Sequence, residues 1–298
     1  MTSEPAARRL LIIFNPAAGW RRRQRLAAVL AHLREHGCAV ALRETEAPGD
    51  AERFAAEVDP DAFDLVVAAG GDGTVNETIN GLARSGLPLA LIPLGTANVL
   101  AAEIGLRTDP ATVARCVAHG KPRPIALGAA NGRRFILMAG AGFDAHVVAG
   151  VSLRMKYWLG KGAYVLSALR QLLVFPFPGY EVQTDNAVHH AASVVIANGR
   201  YYGGRFVCAP EASLESATLQ VCLFERAGRL AAIGYALALA TGRLPHRAGY
   251  RLVEARRVEL RGRPGEPLQG DGDVIGQLNA AIEVLPGALD LVYPPRPN

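Results

Sequence analysis

The chain of 298 residues is half hydrophobic and one fifth charged, with a formal net charge of +5 and a pI of about 9.2. The composition is ordinary for a globular protein and the length exceeds what one hydrophobic core usually supports, so two domains are predicted. The basic balance favours anionic partners, but no basic-aromatic platform or zinc-ligand spacing indicates nucleic acid.

The cysteines and the apolar stretches predict where the protein resides. The four cysteines lie far apart in apolar neighbourhoods, without a Cys-x-x-Cys pair: Cys38, Cys116, Cys208 and Cys222. Buried free thiols in a reducing cytoplasm are therefore expected. Met1 to Arg9 is polar and predicts no signal peptide, and the most apolar helix candidate, Leu230 to Ala240, is well short of the ~20 residues of a membrane span. Any membrane contact is predicted to be peripheral, at the inner membrane face.

The first predicted elements are a strand, a turn and an amphipathic helix. Arg9 to Phe14 is an apolar run typical of a buried strand, and Asn15-Pro16-Ala17-Ala18-Gly19 supplies a turn. The helix has apolar residues at helical spacing and an arginine-rich opposite face. A second strand runs from Cys38 to Arg43 and ends near Thr45, and Asp50 is predicted to cap the next helix.

The most informative stretch is Gly70-Gly71-Asp72-Gly73-Thr74-Val75-Asn76-Glu77. It follows the apolar run Asp64 to Ala69, a predicted buried strand, and opens a helix whose apolar stripe begins at Val75. The glycines are expected to take positive φ and to let a ligand approach the backbone, while the helix N-terminus attracts phosphate. Because Asp72 would repel a bare phosphate, a Mg²⁺ ion is expected between them. An ordinary glycine turn with a solvated aspartate is the alternative.

A second loop repeats this pattern. Leu89 to Ile92 is another apolar strand, and Gly95-Thr96-Ala97-Asn98 follows it with a glycine, a hydroxyl group and a helix N-terminus. Ligands of open α/β sheets sit at the carboxyl ends of the strands, so the two loops are predicted to form one cleft. The alternation of strands and helices up to about Ile125 predicts a doubly wound, mostly parallel sheet.

After Arg123 the pattern changes to strands separated by turn signals, which predicts a β-rich, sandwich-like second domain. The predicted strands are Arg134 to Met138, Tyr180 to Thr184, Ala192 to Ala197, Thr218 to Phe224, Tyr250 to Glu254 and Arg257 to Leu260. The expected division is a nucleotide-binding α/β domain of residues 1–126, to which 286–298 return, and a substrate domain of residues 127–285.

One segment of the second domain mixes cations, aromatic and aliphatic residues: Arg154 to Lys161 and the predicted helix Tyr164 to Val174. This mixture suits an edge that docks on an anionic bilayer, and it equally suits an amphipathic core helix with a solvated rim. A homodimer through an edge strand stays open.

The octet at 70–77 resembles the nucleotide loop of the diacylglycerol kinase catalytic family, which includes sphingosine, ceramide and bacterial lipid kinases. Its Gly-Gly-Asp-Gly-Thr core is shared more distantly with NAD kinases and phosphofructokinases. Asn15-Pro16 and Thr45 with Gly49-Asp50 resemble the first two signatures of the family, and Gly95-Thr96-x-Asn98 resembles the third. The third motif favours a lipid kinase over the other enzymes with this core.

Further segments extend the resemblance along the chain. Leu268-Gln269-Gly270-Asp271-Gly272-Asp273 resembles the Asp-Gly-Glu signature of the family, with Asp271 at the position of the base and Asp273 in place of Glu. A carboxylate there could accept the proton of an attacking lipid hydroxyl. As bare sequence, this stretch is typical of a turn. Segments resembling the family are also Gly140 to Ala145, Asn198 to Gly204 and Pro210 to Ala212, and the family fold implies that Ile282 to Leu285 and Leu289 to Tyr293 rejoin the first domain.

The resemblance implies an ATP- and Mg²⁺-dependent lipid kinase that phosphorylates a hydroxyl of a membrane lipid bound by the second domain. Asp271 and Asp72 would be catalytic, with Asp72 also the metal ligand. The implied nucleotide-binding residues are Asn15, Thr45, Gly70, Gly71, Gly73, Thr74, Asn76, Glu77, Gly95, Thr96 and Asn98.

The sequence departs from the family pattern at three places. Val99 and Ala126 stand where many relatives carry aspartate, which removes negative charge near the metal. Ser216 and Ala217 replace an Asp-Gly pair that holds a structural metal, although Glu215 could substitute in part. These losses motivate one alternative, a lipid- or nucleotide-binding protein that has lost catalysis. A kinase of a soluble acceptor, as in NAD kinase, stays open as a second alternative. Diacylglycerol, a sphingoid base, ceramide and phosphatidylglycerol all stay open as substrates.

Overall fold

A computed structural model describes residues 8–16, 20–152, 155 and 162–295. The chain divides into two compact units, the first formed by the residues up to Ile125 and from Ala288 onward, and the second by Ala126–Gly287. The predicted turn residues Ala17 to Gly19, and all of the predicted cationic segment 154–161 except Met155, lie outside the described residues.

The first unit is a parallel α/β sheet with the strand order β2-β1-β3-β4. These strands are β1 (Arg9–Phe14), β2 (Ala39–Glu44), β3 (Leu65–Gly70) and β4 (Leu89–Pro93). The last strand of the chain, β18 (Ala280–Tyr293), adds its C-terminal part beside β4, where Leu291 pairs with Leu89 in parallel. Every residue of β3 and β4 is buried, as expected for strands covered on both faces.

The helices of the first unit pack in pairs, α1 with α5 and α2 with α3. They are α1 (Trp20–Glu35), α2 (Asp50–Ala56), α3 (Asp72–Gly81), α4 (Val99–Glu103) and α5 (Pro110–His119), and a 3₁₀ turn at Leu82–Arg84 follows α3. The apolar stripe of α1 is buried as predicted, with Leu26, Val29 and Leu33 almost inaccessible to solvent. Asp50 does not cap α2: Gly49 occupies the cap in the left-handed region, and Asp50 accepts hydrogen bonds from the N–H groups of Glu46 and Ala47.

The second unit is a β-sandwich of two antiparallel sheets. One has the order β14-β13-β10-β7-β16-β17, formed by β7 (Met138–Ala141), β10 (Ser193–Ala197), β13 (Leu219–Phe224), β14 (Tyr250–Ala255), β16 (Pro267–Gly270) and β17 (Asp273–Gln277). The other contains β5 (Lys121–Ala130), β6 (Arg133–Phe135), β8 (Tyr180–Thr184), β9 (Val188–Ala191), β15 (Arg257–Arg261) and the first part of β18. The core lies between them, where alternate residues such as Val194 and Ile196 meet Val258 and Leu260.

Smaller elements complete the second unit. They are the hairpin of β11 (Tyr201–Tyr202) and β12 (Phe206–Val207), the helices α6 (Phe143–Ala149), α7 (Gly162–Val174) and α8 (Arg229–Ala240), and a 3₁₀ turn at Leu244–His246. No helix among the described residues is long and apolar enough to cross a membrane. The four cysteines are buried and free, as predicted.

Two predicted strands of the second domain needed correction. The predicted strand Arg134 to Met138 is split between β6 and β7, because the N–H groups of Ile136 and Leu137 bind a carboxylate instead of a neighbouring strand. Ile282 to Leu285 does not rejoin the first unit: it lies in the part of β18 that pairs with β15. The fold class itself, a parallel α/β domain and a sandwich-like β domain, is confirmed.

Candidate active site

The residues predicted to bind nucleotide come from four neighbouring strand ends of the first unit. Asn15 follows β1 and its N–H donates to the carbonyl of Ala69 at 3.0 Å, and the N–H of Thr45, after β2, donates to the carbonyl of Phe14 at 2.9 Å. The loops at 70–74 and 95–98 follow β3 and β4. Since the strand order reverses between β1 and β3, this edge contains the switch point at which open α/β sheets bind ligands.

The two glycine loops are in close contact. The N–H groups of Leu94 and Gly95 both donate to the carbonyl of Gly70, at 2.8 and 3.1 Å. A Cβ atom added to Gly95 would lie 2.5 Å from the Cα atom of Gly71, and one added to Gly70 would collide with the Thr74 hydroxyl. Gly71 and Gly95 are thus required for the approach of one loop to the other, and Gly70 makes room for Thr74 within its own loop.

The expectation of positive φ in the first loop was wrong. Gly71 is extended, with φ of −99° and ψ of −172°, and Gly73 lies inside α3. Positive φ is found instead in the second loop, at Asn98, with φ of 47°. Asparagine tolerates this conformation better than most residues do.

Side-chain hydrogen bonds fix the second loop to the first. Asn98 brackets Gly95, accepting from its N–H at 2.8 Å and donating to its carbonyl at 2.9 Å. Asp72 accepts a hydrogen bond through Oδ1 from the N–H of Val99 at 2.8 Å. The carboxylate at the start of α3 is therefore held by the start of α4, with its position set by both loops.

The predicted site residues form two groups: those that are buried or bonded within the protein, and those that are placed to contact a ligand. Thr74 and Asn76 are buried, and Glu77 accepts a hydrogen bond from the N–H of Ala51 at 3.2 Å, which ties α3 to α2. Thr96 is exposed in the second loop. The N-terminus of α3 is capped by Gly71, which has no side chain to bind the first N–H groups of the helix. The groups best placed for a ligand are therefore these N–H groups, Asp72 and Thr96.

Sequence reasoning missed two cations near this edge. On α1, Arg25 donates to the carbonyl of Pro93, the last residue of β4, at 3.4 Å. Burial and the charge of Arg25 lower the pKa of Arg22. In the part of the chain that the structure describes, neither guanidinium has a carboxylate within ion-pair distance, whereas the neighbouring Arg23 pairs with Glu44. A run of arginines on a helix is typical of a solvated face, so the sequence carried no signal for them.

Asp271 lies in a tight turn of the second unit. Asp271 and Gly272 connect β16 to β17 with φ of 52° and 88°, the positive values that a two-residue type I′ hairpin requires. The Asp271 carboxylate accepts hydrogen bonds from the N–H groups of Ile136, Leu137 and Met138, at 2.8, 2.8 and 3.1 Å. The turn is confirmed, and its aspartate anchors the segment between β6 and β7.

A buried carboxyl group is connected to this turn. Asp144, on α6, accepts hydrogen bonds through Oδ2 from the Gln269 amide at 3.1 Å and the Tyr202 hydroxyl at 3.4 Å. Gln269 in turn accepts from the N–H of Gly272 at 3.1 Å. Burial raises the pKa of Asp144 to about 7, although both hydrogen bonds act to lower it. Its Oδ1 is enclosed without a hydrogen bond from any residue described here.

The residues that depart from the family pattern have the following places in the structure. Val99 supplies its N–H to Asp72, and Ala126 is buried. Ser216 shares a hydrogen bond with the hydroxyl of Thr218 at 2.9 Å. Within the described ranges, no group of three or more His, Cys, Asp or Glu side chains could hold a metal ion.

A parallel α/β unit with paired glycine loops at its switch point, joined to a β-sandwich, is the architecture of the diacylglycerol kinase type of phosphotransferase. Residues 9–130 match the diacylglycerol kinase catalytic domain, and residues 138–293 match the YegS C-terminal NAD kinase beta sandwich-like domain. The chain belongs to this lipid kinase family.

Individual relatives cover most of the chain. A Pseudomonas putida protein named "Probable lipid kinase YegS-like" is 32% identical over 276 residues, which span 88% of each chain. A Bacillus subtilis protein named "Diacylglycerol kinase" is 30% identical over 293 residues, 96% of this chain and 97% of its own. The crystal structure of a diacylglycerol kinase from Bacillus anthracis superposes with a TM-score of 0.80 at 26% identity, covering 98% of this chain and 99% of that one.

Proposed function

We propose that this protein is an ATP-dependent lipid kinase that transfers the γ-phosphate of ATP to a hydroxyl group of a membrane lipid. The observation that carries this proposal is the edge of the first unit, where the N-terminus of α3, whose cap Gly71 has no side chain, and the fixed carboxylate of Asp72 adjoin a second loop. The family relatives named as lipid and diacylglycerol kinases support the lipid acceptor.

The phosphates of ATP bind the N–H groups at the start of α3. Helix N-termini attract anions through these groups and through the helix dipole. The half-buried Arg22 and the exposed Arg25 add positive charge near the end of β4, which favours a bound anion. Asn15, Thr45 and Thr96, at neighbouring strand ends, surround the rest of the nucleotide.

The residues fit a Mg²⁺ ion that binds together with the nucleotide. Mg²⁺ usually takes one or two carboxylates together with phosphate oxygens and water, so Asp72 alone suffices on the protein side. The bond from Val99 to Asp72 positions this carboxylate before the nucleotide binds. When bound, the ion would neutralise charge on the transferred phosphoryl group.

A carboxyl group of the second unit handles the acceptor hydroxyl. Asp271 is the proposed base, and three backbone N–H groups orient its carboxylate while favouring its charged form. Asp144 is joined to the same hairpin through Gln269. Asp144 is therefore a positioning residue that supports the hairpin of Asp271.

The experiment is a panel of lipids incubated with γ-labelled ATP, Mg²⁺ and the purified chain. The proposal predicts label in the organic phase with at least one of diacylglycerol, a sphingoid base, ceramide and phosphatidylglycerol. Label confined to aqueous products would favour a soluble acceptor. Nucleotide binding by calorimetry without ATP consumption would favour a binding protein, the alternative that the loss of acidic residues at Val99 and Ala126 motivates.

A further inference from the structure

The helix α7 exposes its large apolar residues and buries its small ones. Val165, Leu166, Leu169 and Leu173 lie on one face and are 61%, 52%, 57% and 68% exposed. The buried residues of α7 are only Ala163 and Ser167. This arrangement reverses that of an ordinary amphipathic helix on a protein core, so the outward face is built to contact something else.

The helix α8 likewise exposes its large apolar residues. Leu230, Ile233 and Leu237 are 86%, 42% and 62% exposed, at the spacing of one helix face. Its only buried residue is Tyr235, whose hydroxyl donates to the carbonyl of Gly249 at 2.7 Å and so fixes α8 to the sandwich. One aromatic side chain thus attaches α8 to the sandwich, and the large aliphatic side chains of the helix stay exposed to solvent.

The two outward faces are neighbours within the second unit. The guanidinium of Arg229, at the start of α8, donates to the carbonyl of Leu173, near the end of α7, at 2.7 Å. Of the thirteen large hydrophobic side chains that are exposed among the described residues, eight lie on these two helices. We call the outward faces of α7 and α8 the apolar helix surface.

Positive charge surrounds the apolar helix surface. The sequence has no Asp or Glu from residue 145 to 180 or from 226 to 253, the two stretches that contain these helices. Among the described residues, the exposed arginines in these stretches are Arg170, Arg226, Arg229, Arg243, Arg247 and Arg251, of which Arg251 pairs with Glu225. Anionic lipid attracts such clusters, with about 1 kcal/mol contributed by each Lys or Arg close to the bilayer.

The charge distribution selects a bilayer over a second copy of the chain. A symmetric dimer through this surface would place its arginines against one another without a carboxylate from either helix. Apolar side chains ringed by cations are the pattern of helices that lie in the headgroup region of anionic membranes.

We propose that the apolar helix surface docks the protein on an anionic lipid bilayer, with α7 and α8 lying along the membrane plane. The inference rests on the proposed lipid kinase function, because docking there would give the second unit access to its substrate. It adds α8 to the membrane contact and identifies the residues that enter the bilayer.

The test is co-sedimentation of the full chain with vesicles of equimolar phosphatidylcholine and phosphatidylglycerol. The variants are Leu169→Glu and Leu237→Glu, with Leu169→Ser and Leu237→Ser as uncharged versions. Val188→Glu is the matched control, since Val188 is 54% exposed on β9, outside both helices. The Glu variants are expected to lose about tenfold or more in vesicle affinity and the Ser variants less, because interfacial binding scales with buried apolar area and with charge.

A second readout separates docking from catalysis. Phosphorylation of a short-chain, water-soluble substrate lipid should be unchanged in the Leu variants, while phosphorylation of the same lipid in vesicles should fall. Wild-type vesicle binding by both Glu variants would overturn the docking proposal and leave the kinase proposal intact. If the wild type forms dimers in sedimentation velocity and the Glu variants lose them while vesicle binding is unchanged, the surface serves self-association and the docking proposal is overturned. If no lipid is phosphorylated in either form, the kinase function fails, and vesicle binding still decides the docking proposal.

Discussion

The tripeptide Gly-Asp-Gly occurs twice in the chain, at 71–73 and at 270–272, and the two copies have different structures. In the first unit it joins a strand to a helix, and Asp72 accepts a backbone hydrogen bond from Val99. In the second unit it forms a hairpin turn with positive φ, and Asp271 accepts three.

The difference shows that the element following the turn, a helix or a strand, determines what the aspartate in the turn can do. A strand-to-helix turn leaves helix N–H groups for a ligand, so the carboxylate beside them acts on that ligand. A hairpin turn satisfies its own main chain, and its carboxylate is available to anchor a neighbouring segment. We therefore expect Asp72 to matter mainly for turnover, and Asp271 for both turnover and stability.

Replacement of Asp72 by Ala should have the largest effect on activity. Turnover is expected to fall about a thousandfold or more, since phosphoryl transfer depends on positioning and charge neutralisation. Loss of the hydrogen bond from Val99 should lower the free energy of unfolding by about 1 kcal/mol. Labelled-ATP assays and denaturant titrations measure the two quantities. Equal losses of stability in Asp72→Ala and Asp271→Ala would remove the distinction between the two turns.

Replacement of Asp271 by Ala should lower the free energy of unfolding by about 3 kcal/mol, because three backbone N–H groups lose their acceptor. Turnover should also fall, by about a hundredfold or more, with ATP binding by calorimetry largely intact. Asp185→Ala is the matched control: this exposed aspartate also accepts backbone hydrogen bonds, from Arg256 and Arg257, but has no proposed role in catalysis. Folded Asp271→Ala protein with wild-type lipid phosphorylation would show that Asp271 is not the base.

Replacement of Gly95 by Ala tests the contact between the loops of the first unit. The added methyl group would meet Gly71 and Asn98, so we expect a loss of about 1–3 kcal/mol in stability and weaker nucleotide binding. Gly179→Ala is the control, because a Cβ atom there meets nothing within 4 Å. Calorimetry with ATP and thermal melting follow both effects. Unaltered ATP affinity in Gly95→Ala would mean that the close approach of the loops is not needed for binding.

Replacement of Asp144 by Asn should change the pH dependence of stability. Since burial raises the folded-state pKa of Asp144 from 3.8 to about 7, the folded state binds the extra proton between these values. The wild-type free energy of unfolding should therefore fall as pH rises from about 4 to 7, by at most about 1.4 kcal/mol per pH unit from this group. The Asn variant should match the wild type near pH 3, where the carboxyl group is protonated in both states, and should exceed it increasingly up to pH 8. Parallel stability curves would show that the pKa of Asp144 is not raised in the folded protein.

The sequence was sufficient to predict the strands β1 to β4 and the loops that follow two of them. Apolar runs of five or six residues end in glycine or in a polar turn there, and such local signals do not depend on the rest of the fold. The strand β17 was missed because its residues are mostly exposed and show no alternation.

Long-range contacts account for the other failures. The sequence predicted that the glycines at 70 and 71 make room for a ligand. In the structure they also make room for Thr74 and Gly95, which the fold brings into contact with them. The roles of Arg22 and Arg25, and the network of Asp144, likewise depend on tertiary neighbours. For α7 the apolar pattern predicted a helix, but the face that packs inward is decided by the sandwich beneath it.

The central claim is that the edge of β3 and β4 transfers phosphate from ATP to a lipid. The most direct measurement compares lipid labelling by the wild type, Asp72→Ala and Asp64→Ala, since Asp64 precedes β3 and Asp72 follows it. Asp64 contacts Arg9, accepting a hydrogen bond from its N–H and forming an exposed ion pair with its guanidinium, and has no proposed role in catalysis. The account predicts label in the organic phase for the wild type and Asp64→Ala and almost none for Asp72→Ala. Equal labelling by Asp72→Ala and the wild type, or no labelled lipid from any of the three, would contradict it.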